Sequence, residues 1–371
     1  MVTKRKANGG MEIDEKVMMR DINSLRNVTP EIQKKFEDLC YEKAKLYPNI
    51  DTWFFDGECA TGMMSGLMEN IENFARLLIA TYKGVKRANP KARVLLTGGP
   101  CNMMPQGGTR LVAKYIDAIK GRVKFDAVAI HPYRATPEDP DLDRDAKYFL
   151  DMLDKKGYGD VPVQWNEGMH FPQYNVPAWG LNPYRGNSND HFYAGTISYD
   201  MGWGERISAA YYARGWLVAL KYQNRVEMFN GWQHRETFMD IDLTPFSVQK
   251  VTNTLGNVLG NAVFKKDIRF AENSRCYVFE DQLKRPVAVM WSYYPKVDRN
   301  KERPPEVVLK FSGYTPEFID LMGTTRKGSP DKKGAINMPL TPFPVFIRGK
   351  AGSLNTFCAD LAKTALKDAR N

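Results

Sequence analysis

Glu58 and Glu167 each close a short apolar run, Trp53-Phe54-Phe55-Asp56-Gly57 before the first and Val163-Gln164-Trp165-Asn166 before the second. Two carboxyl groups held across one bond can share acid–base and nucleophilic work. In glycosidic cleavage one protonates the leaving oxygen, and the other attacks the anomeric carbon or activates water. Such a division of labour needs pKa values pushed apart by environment. Glu58 would have to keep its proton near neutral pH, with Trp53 and Phe55 as apolar surroundings. Glu167 would have to stay ionised, with His131, Tyr133 or Asn166 as hydrogen-bond donors. Trp165, Trp179, Trp203 and Trp232 offer rings that either stack on pyranose faces or fill a core. Trp232 is the best placed of these, because it follows the last strand of the series described next. His170, His191 and His234 read as loop histidines. The five cysteines are odd in number and form no CxxC pair. They suit neither a disulfide framework nor a zinc site, and Cys59 and Cys101 read as inert. No metal or cofactor is expected.

These residues need elements to position them. Apolar spacing predicts a helix over 30–46, with Asn27 to Thr29 as capping residues and Pro30 at its start. After it, strand-like and helix-like stretches alternate. Ile50 to Phe55, Arg93 to Thr97, Phe125 to Ile130, Val161 to Trp165 and Arg225 to Phe229 read as strands. Helical periodicity separates them and ends over 248–259. Five βα units in a row predict a parallel sheet covered by helices. Gly98-Gly99-Pro100, His131-Pro132-Tyr133, Asn166-Glu167-Gly168 and Asn230-Gly231-Trp232 follow the strands. That is the end at which barrel active sites are built. From residue 263 the pattern changes to short β-type runs divided by turn residues, which predicts an antiparallel β-sandwich. The expected organisation is a flexible tail over 1–20, a partial β/α-barrel over 21–262, a sandwich over 263–352 and a terminal helix over 353–371.

The order of motifs resembles glycoside hydrolase clan A, in particular the family 39-like β-xylosidases and α-L-iduronidases. The matching segments are the strand ending in Glu58, then Pro90-Lys91-Ala92-Arg93-Val94-Leu95-Leu96-Thr97-Gly98-Gly99, then Asp126 to Tyr133, then Pro162 to Gly168. Asp320 to Gly323 and Pro344 to Gly349 continue the pattern in the sandwich. The resemblance covers about residues 30–350. It implies an α/β fold of the (β/α)8 TIM-barrel type with a C-terminal sandwich. It further implies retaining hydrolysis of O-glycosidic bonds, with Glu58 as general acid/base and Glu167 as nucleophile. His131, Tyr133, Asn166, Trp165 and Trp232 would then bind the carbohydrate. Two departures stand out. Gly57 occupies the position where the clan has an asparagine, and the first three barrel strands have no counterpart. The alternative expectation is therefore a non-catalytic relative that keeps the fold for carbohydrate binding or for a structural role.

A net charge of +10 raises the question of a nucleic-acid or membrane partner. The basic residues are spread along the chain, with short runs only at Lys4-Arg5-Lys6 and Lys332-Lys333. Neither nucleic acid nor membrane is expected as a partner, and no run approaches the length of a membrane span. Met1 to Gly10 has no apolar stretch after it, so no export signal is expected in the chain as written. The incomplete barrel leaves an open edge at Ile50 to Phe55. The N-terminal segment, a second copy or a partner chain is expected to cover it.

Overall fold

The computed structural model describes residues 3–5, 11–13, 27–54, 70–97, 107–132, 136–138, 141–166, 201–229, 245–294 and 303–367. It divides into two compact units, Met1–Tyr133, Arg144–Gly168 and Asn224–Asn230 in the first, and Arg134–Asp143, Met169–Gln223 and Gly231–Asn371 in the second.

In the first unit, β1 (Thr3–Arg5) and β2 (Met11–Ile13) pair with each other antiparallel, so the expected tail carries a hairpin. Helix α1 (Pro30–Leu46) starts as its sequence dictates. The Thr29 hydroxyl accepts from the Ile32 amide, Pro30 occupies the first turn, and Lys43 and Lys45 sit in the last turn. It lies along α2 (Ile71–Ala88) through Val28, Ile32, Phe36 and Leu77. A β-carbon on Gly84 would collide with the Glu37 carbonyl and Cys40, so only glycine allows these helices to approach so closely.

Among the described residues five parallel strands follow in sequence order: β3 (Thr52–Phe54), β4 (Arg93–Thr97), β5 (Ala127–Ile130), β6 (Val163–Trp165) and β7 (Val226–Phe229). Helix α3 (Gly108–Ile119) links β4 to β5, and α4 (Leu142–Lys155) lies between β5 and β6. The middle strands are buried except at Arg93, the first residue of β4, which is why they read as apolar runs. Asp126, first residue of the Asp126-to-Tyr133 motif, is structural. Its carboxylate accepts from the Val94 amide at 2.7 Å and pairs with Lys86 at 3.0 Å, tying the starts of β4 and β5 together.

The second unit holds α5 (Met201–Lys221), α6 (Ser247–Leu259) and two antiparallel sheets. The larger sheet runs β13-β12-β15-β10-β9-β8. Its strands are β8 (Val263–Asp267), β9 (Ser274–Glu280), β10 (Pro286–Ser292), β12 (Glu317–Ile319), β13 (Thr325–Lys327) and β15 (Val345–Arg348). The smaller sheet joins β14 (Ala335–Pro339), β11 (Glu306–Lys310) and β16 (Ala365–Lys367). Cys276, Val278, Ala288 and Met290 from the first sheet meet Val307, Leu309, Ile336 and Met338 from the second, which makes a β-sandwich core. The terminal helix expected over 353–371 is shorter, α7 (Leu354–Leu361). Beyond it Ala365–Lys367 supply hydrogen-bond partners to Glu306–Val308 as β16. No described helix is long and apolar enough to cross a membrane.

Candidate active site

The register of the parallel sheet sorts the strand residues by face. Thr97, Ala129, Gln164 and Met228 form one cross-strand row, and Ile130, Trp165 and Phe229 form the next. Side chains alternate along a strand. Arg93, Leu95, Thr97, Ala127, Ala129 and Gln164 therefore share one face, and Val94, Leu96, Val128, Ile130, Val163 and Trp165 share the other.

The first face is concave. The carboxylate of Glu227 on β7 accepts from Arg93 Nη2 on β4 and from Gln164 Nε2 on β6, each at 2.6 Å. In a flat sheet β4 and β7 would lie three interstrand steps apart, ~14 Å, with their side chains upright. An Arg–Glu contact across that span requires the strands to curl towards each other, as in a barrel wall. Leu95, Ala127 and Ala129 pack together on this inner side. Continuing the alternation, His131 and Asn166 follow Ala129 and Gln164 on the concave face at the C-terminal ends of β5 and β6. His131 is buried. Asn166 is half-buried, and its Oδ1 is shielded from solvent with no hydrogen-bond partner among the described residues. A shielded acceptor without a donor is costly unless a group outside the described residues, a ligand or a water supplies one.

Trp165, expected to bind the carbohydrate, is 1% exposed and belongs to the convex row with Ile130. Sequence alone could not tell a stacking ring from a core ring, because both need a large aromatic at a strand end. Glu58, Glu167, Tyr133 and Trp232 lie outside the described residues, as do Gly57, Trp179, His170, His191, His234, Cys59 and Cys101. Arg93, Gln164 and Glu227 were not singled out from the sequence. The signal for the first two was present as polar positions at alternate places in apolar strands, but the Arg93–Glu227 pairing spans 134 positions.

The second unit holds a buried charge network that sequence reading also missed. It is built on the acidic run from Glu138 to Asp143, which follows β5. Glu138 pairs with the fully buried Arg214 of α5 and accepts from Trp291 Nε1 at 2.9 Å. Asp141 pairs with Arg275 at 2.7 Å. Asp143 accepts from Lys221 at 2.9 Å, from Arg269 at 2.8 Å, and from the hydroxyls of Tyr222 and Tyr277 at 2.8 and 2.9 Å. Burial pushes the Asp143 carboxyl up, but the Lys221 charge and the Lys221, Tyr222 and Tyr277 hydrogen bonds outweigh it and hold its pKa below the ordinary value. Burial and the charge of Asp143 push the Tyr277 hydroxyl well up, so it stays a donor. These pairs anchor the elements that carry them. Among the described residues no cluster of His, Cys, Asp and Glu suits a metal ion.

A curled parallel β/α sheet with a C-terminal β-sandwich is an α/β fold of the TIM-barrel type, and this is the architecture seen in solved glycosidases. The chain is similar to AbfB, a family 51 α-L-arabinofuranosidase from Bifidobacterium longum, at 12% identity and a TM-score of 0.50, over 80% of this chain and 66% of that one. It is also similar to a glucosidase from Croceicoccus marinus at 14% identity and a TM-score of 0.49, over 86% and 75%. A third is a family 44 xyloglucanase from Paenibacillus polymyxa at 12% identity and 0.49, over 84% and 70%. The chain thus spans just under two thirds of the arabinofuranosidase. At these identities the likeness concerns the fold. In sequence, no family model and no curated protein matches the chain.

Proposed function

We propose that the chain is a retaining glycoside hydrolase in which Glu58 is the general acid/base and Glu167 the nucleophile. The observation that carries this reading is the concave C-terminal rim of the parallel sheet. His131 is buried there, and Asn166 follows on the same face with a shielded Oδ1 that has no donor among the described residues. Glu167 is the next residue after Asn166, and Glu58 comes four residues after Phe54 at the same end of β3. A retaining pair stands about 5–5.5 Å apart, so that one carboxyl reaches the anomeric carbon while the other reaches the leaving oxygen. Glu167 attacks the anomeric carbon as Glu58 gives its proton to the departing oxygen. Water activated by Glu58 then releases the sugar. Tyr133 and Trp232 would line the sugar site with His131 and Asn166. The motif order supports a family 39-like member acting on xylosides or uronides.

Hydrolysis of aryl xylosides, arabinofuranosides and glucosides tests the proposal. Glu167→Gln should reduce turnover to background. Glu58→Gln should cost about 10²–10⁴-fold on substrates with poor leaving groups and much less on activated ones, because only the former need the proton. A Glu167→Gln protein as active as its parent would remove the nucleophile assignment. Gly57 favours a second reading, a fold-retaining carbohydrate-binding relative. Oligosaccharide binding with no hydrolysis of any aryl glycoside would select it.

A further inference from the structure

We infer that a second copy of this chain docks on α1, with the two α1 helices side by side and parallel about a twofold axis. Helix α1 uses the stripe containing Ile32, Phe36 and Cys40 against α2. Leu39 and Leu46 follow Ile32 at seven-residue steps and so continue the edge of that face, yet they are 50% and 63% exposed. Tyr47, Ile50 and Phe54, next along the chain, are exposed as well. Among the described residues, eight large hydrophobics are exposed, and five of them fall between Leu39 and Phe54. Single exposed apolar residues are ordinary, whereas a run of them marks an interaction surface.

The edges of the sandwich's larger sheet show what an unpartnered surface looks like in this protein. Edge strand β8 carries Lys265 and Lys266, and edge strand β13 carries Arg326 and Lys327, all of which discourage pairing with another chain. Edge strand β3 is Thr52-Trp53-Phe54, without a charge.

The charges of α1 identify the occupant. Its four lysines balance its four acids in a chain of net charge +10, so copies can approach there without local repulsion. Lys34, Lys35, Glu31, Glu37 and Asp38 are engaged in ion pairs. Among the described residues no ion pair engages Glu42 or Lys43, and they flank the Leu39–Leu46 stripe on opposite sides. In a parallel twofold pair, Leu39 meets the partner's Leu39, Leu46 meets the partner's Leu46, and Glu42 meets the partner's Lys43 twice over. An antiparallel pair would set Lys43 against the partner's Lys43. A self-complementary patch of this kind is what an isologous interface requires.

Sedimentation equilibrium of the 371-residue chain between about 1 and 100 μM, at moderate salt, tests the inference. A monomer–dimer equilibrium is expected. Leu39→Glu with Leu46→Glu should give a monomer with unchanged circular dichroism, since both side chains are exposed. Glu42→Lys alone and Lys43→Glu alone should each weaken the dimer about five- to tenfold, and the two together should restore it. A chain that stays monomeric throughout, or a dimer indifferent to the leucine changes, would overturn the inference. A charge swap that fails to restore association would overturn the parallel arrangement.

Discussion

Asn166 and Trp165 are neighbours on one strand end and face opposite ways, which shows how much a single register step decides at the residue scale. Sequence placed both at the rim. Only pairing with β5 sends one to the concave face and the other into the core. The same holds for Asp143, an acid in an acidic run whose partners lie far along the chain. Asp143→Asn is expected to cost about 2–4 kcal/mol at pH 7 by leaving Lys221 and Arg269 short of a buried counter-charge, read by urea denaturation. The pH dependence has a definite sign. The folded pKa of Asp143 lies below its unfolded value of about 3.9, so its contribution is complete above that value. It is lost as pH falls through the lower folded pKa. The parent should therefore lose stability more steeply than Asp143→Asn between pH 5 and 2. For the Glu138–Arg214 pair, Arg214→Met alone should be destabilising by about 3–5 kcal/mol, because it strands a buried carboxylate. Adding Glu138→Leu should recover much of that loss. A double variant no better than the single would show that Trp291 and packing, rather than charge, set the cost.

Among the elements, three turns of the sandwich repeat one device, two of them between paired strands and the third between the two sheets. Asp281, Asp320 and Asp331 each accept two backbone amides on the carboxylate, from Leu283 and Arg285, Met322 and Thr324, and Lys333 and Ala335. The residue three places on is left-handed in every case, and it is Gly323 or Gly334 in two turns but Lys284 in the first. The Asp320-to-Gly323 motif, read in the sequence as a family signature, is therefore a turn requirement. Lys284→Gly should raise stability by about 0.5 kcal/mol, the relief of left-handed strain being partly offset by backbone entropy. Gly323→Ala should lower it by about 1–2 kcal/mol, since its β-carbon would also press on Thr254 Oγ1 at 3.1 Å. Thermal melts of both variants check the pair, and a Lys284→Gly protein less stable than the parent would refute the strain.

On the scale of the whole molecule, the compact unit holding the sandwich also takes in α5, α6 and the segment 134–143, so it crosses the boundary expected at residue 262. Glu138 hydrogen-bonds Trp291, Asp141 pairs with Arg275, and Asp143 binds Arg269 and Tyr277. Cutting after residue 262 would expose all three carboxylates' former sites at once. Residues 1–262 produced alone should fail to unfold cooperatively in urea, whereas the full chain should show a cooperative transition. A sharp transition in the shorter chain would show that the unit tolerates division.

The sequence by itself determined the local conformations and their order. The five parallel strands of the described residues, their helices and a later antiparallel sandwich were legible, because hydrophobic periodicity is set by the backbone geometry of each element. Two glutamates after strand ends were legible for the same reason, since strand direction fixes which end they leave. Which side chains share a face, which carboxylates are anchored by which cations, and where an apolar stripe is left uncovered were decided only by the tertiary structure. Arg93 finds Glu227, Glu138 finds Arg214 and Asp143 finds Tyr277 across 134, 76 and 134 positions. No periodicity carries information over such separations; register, sheet curvature and burial do.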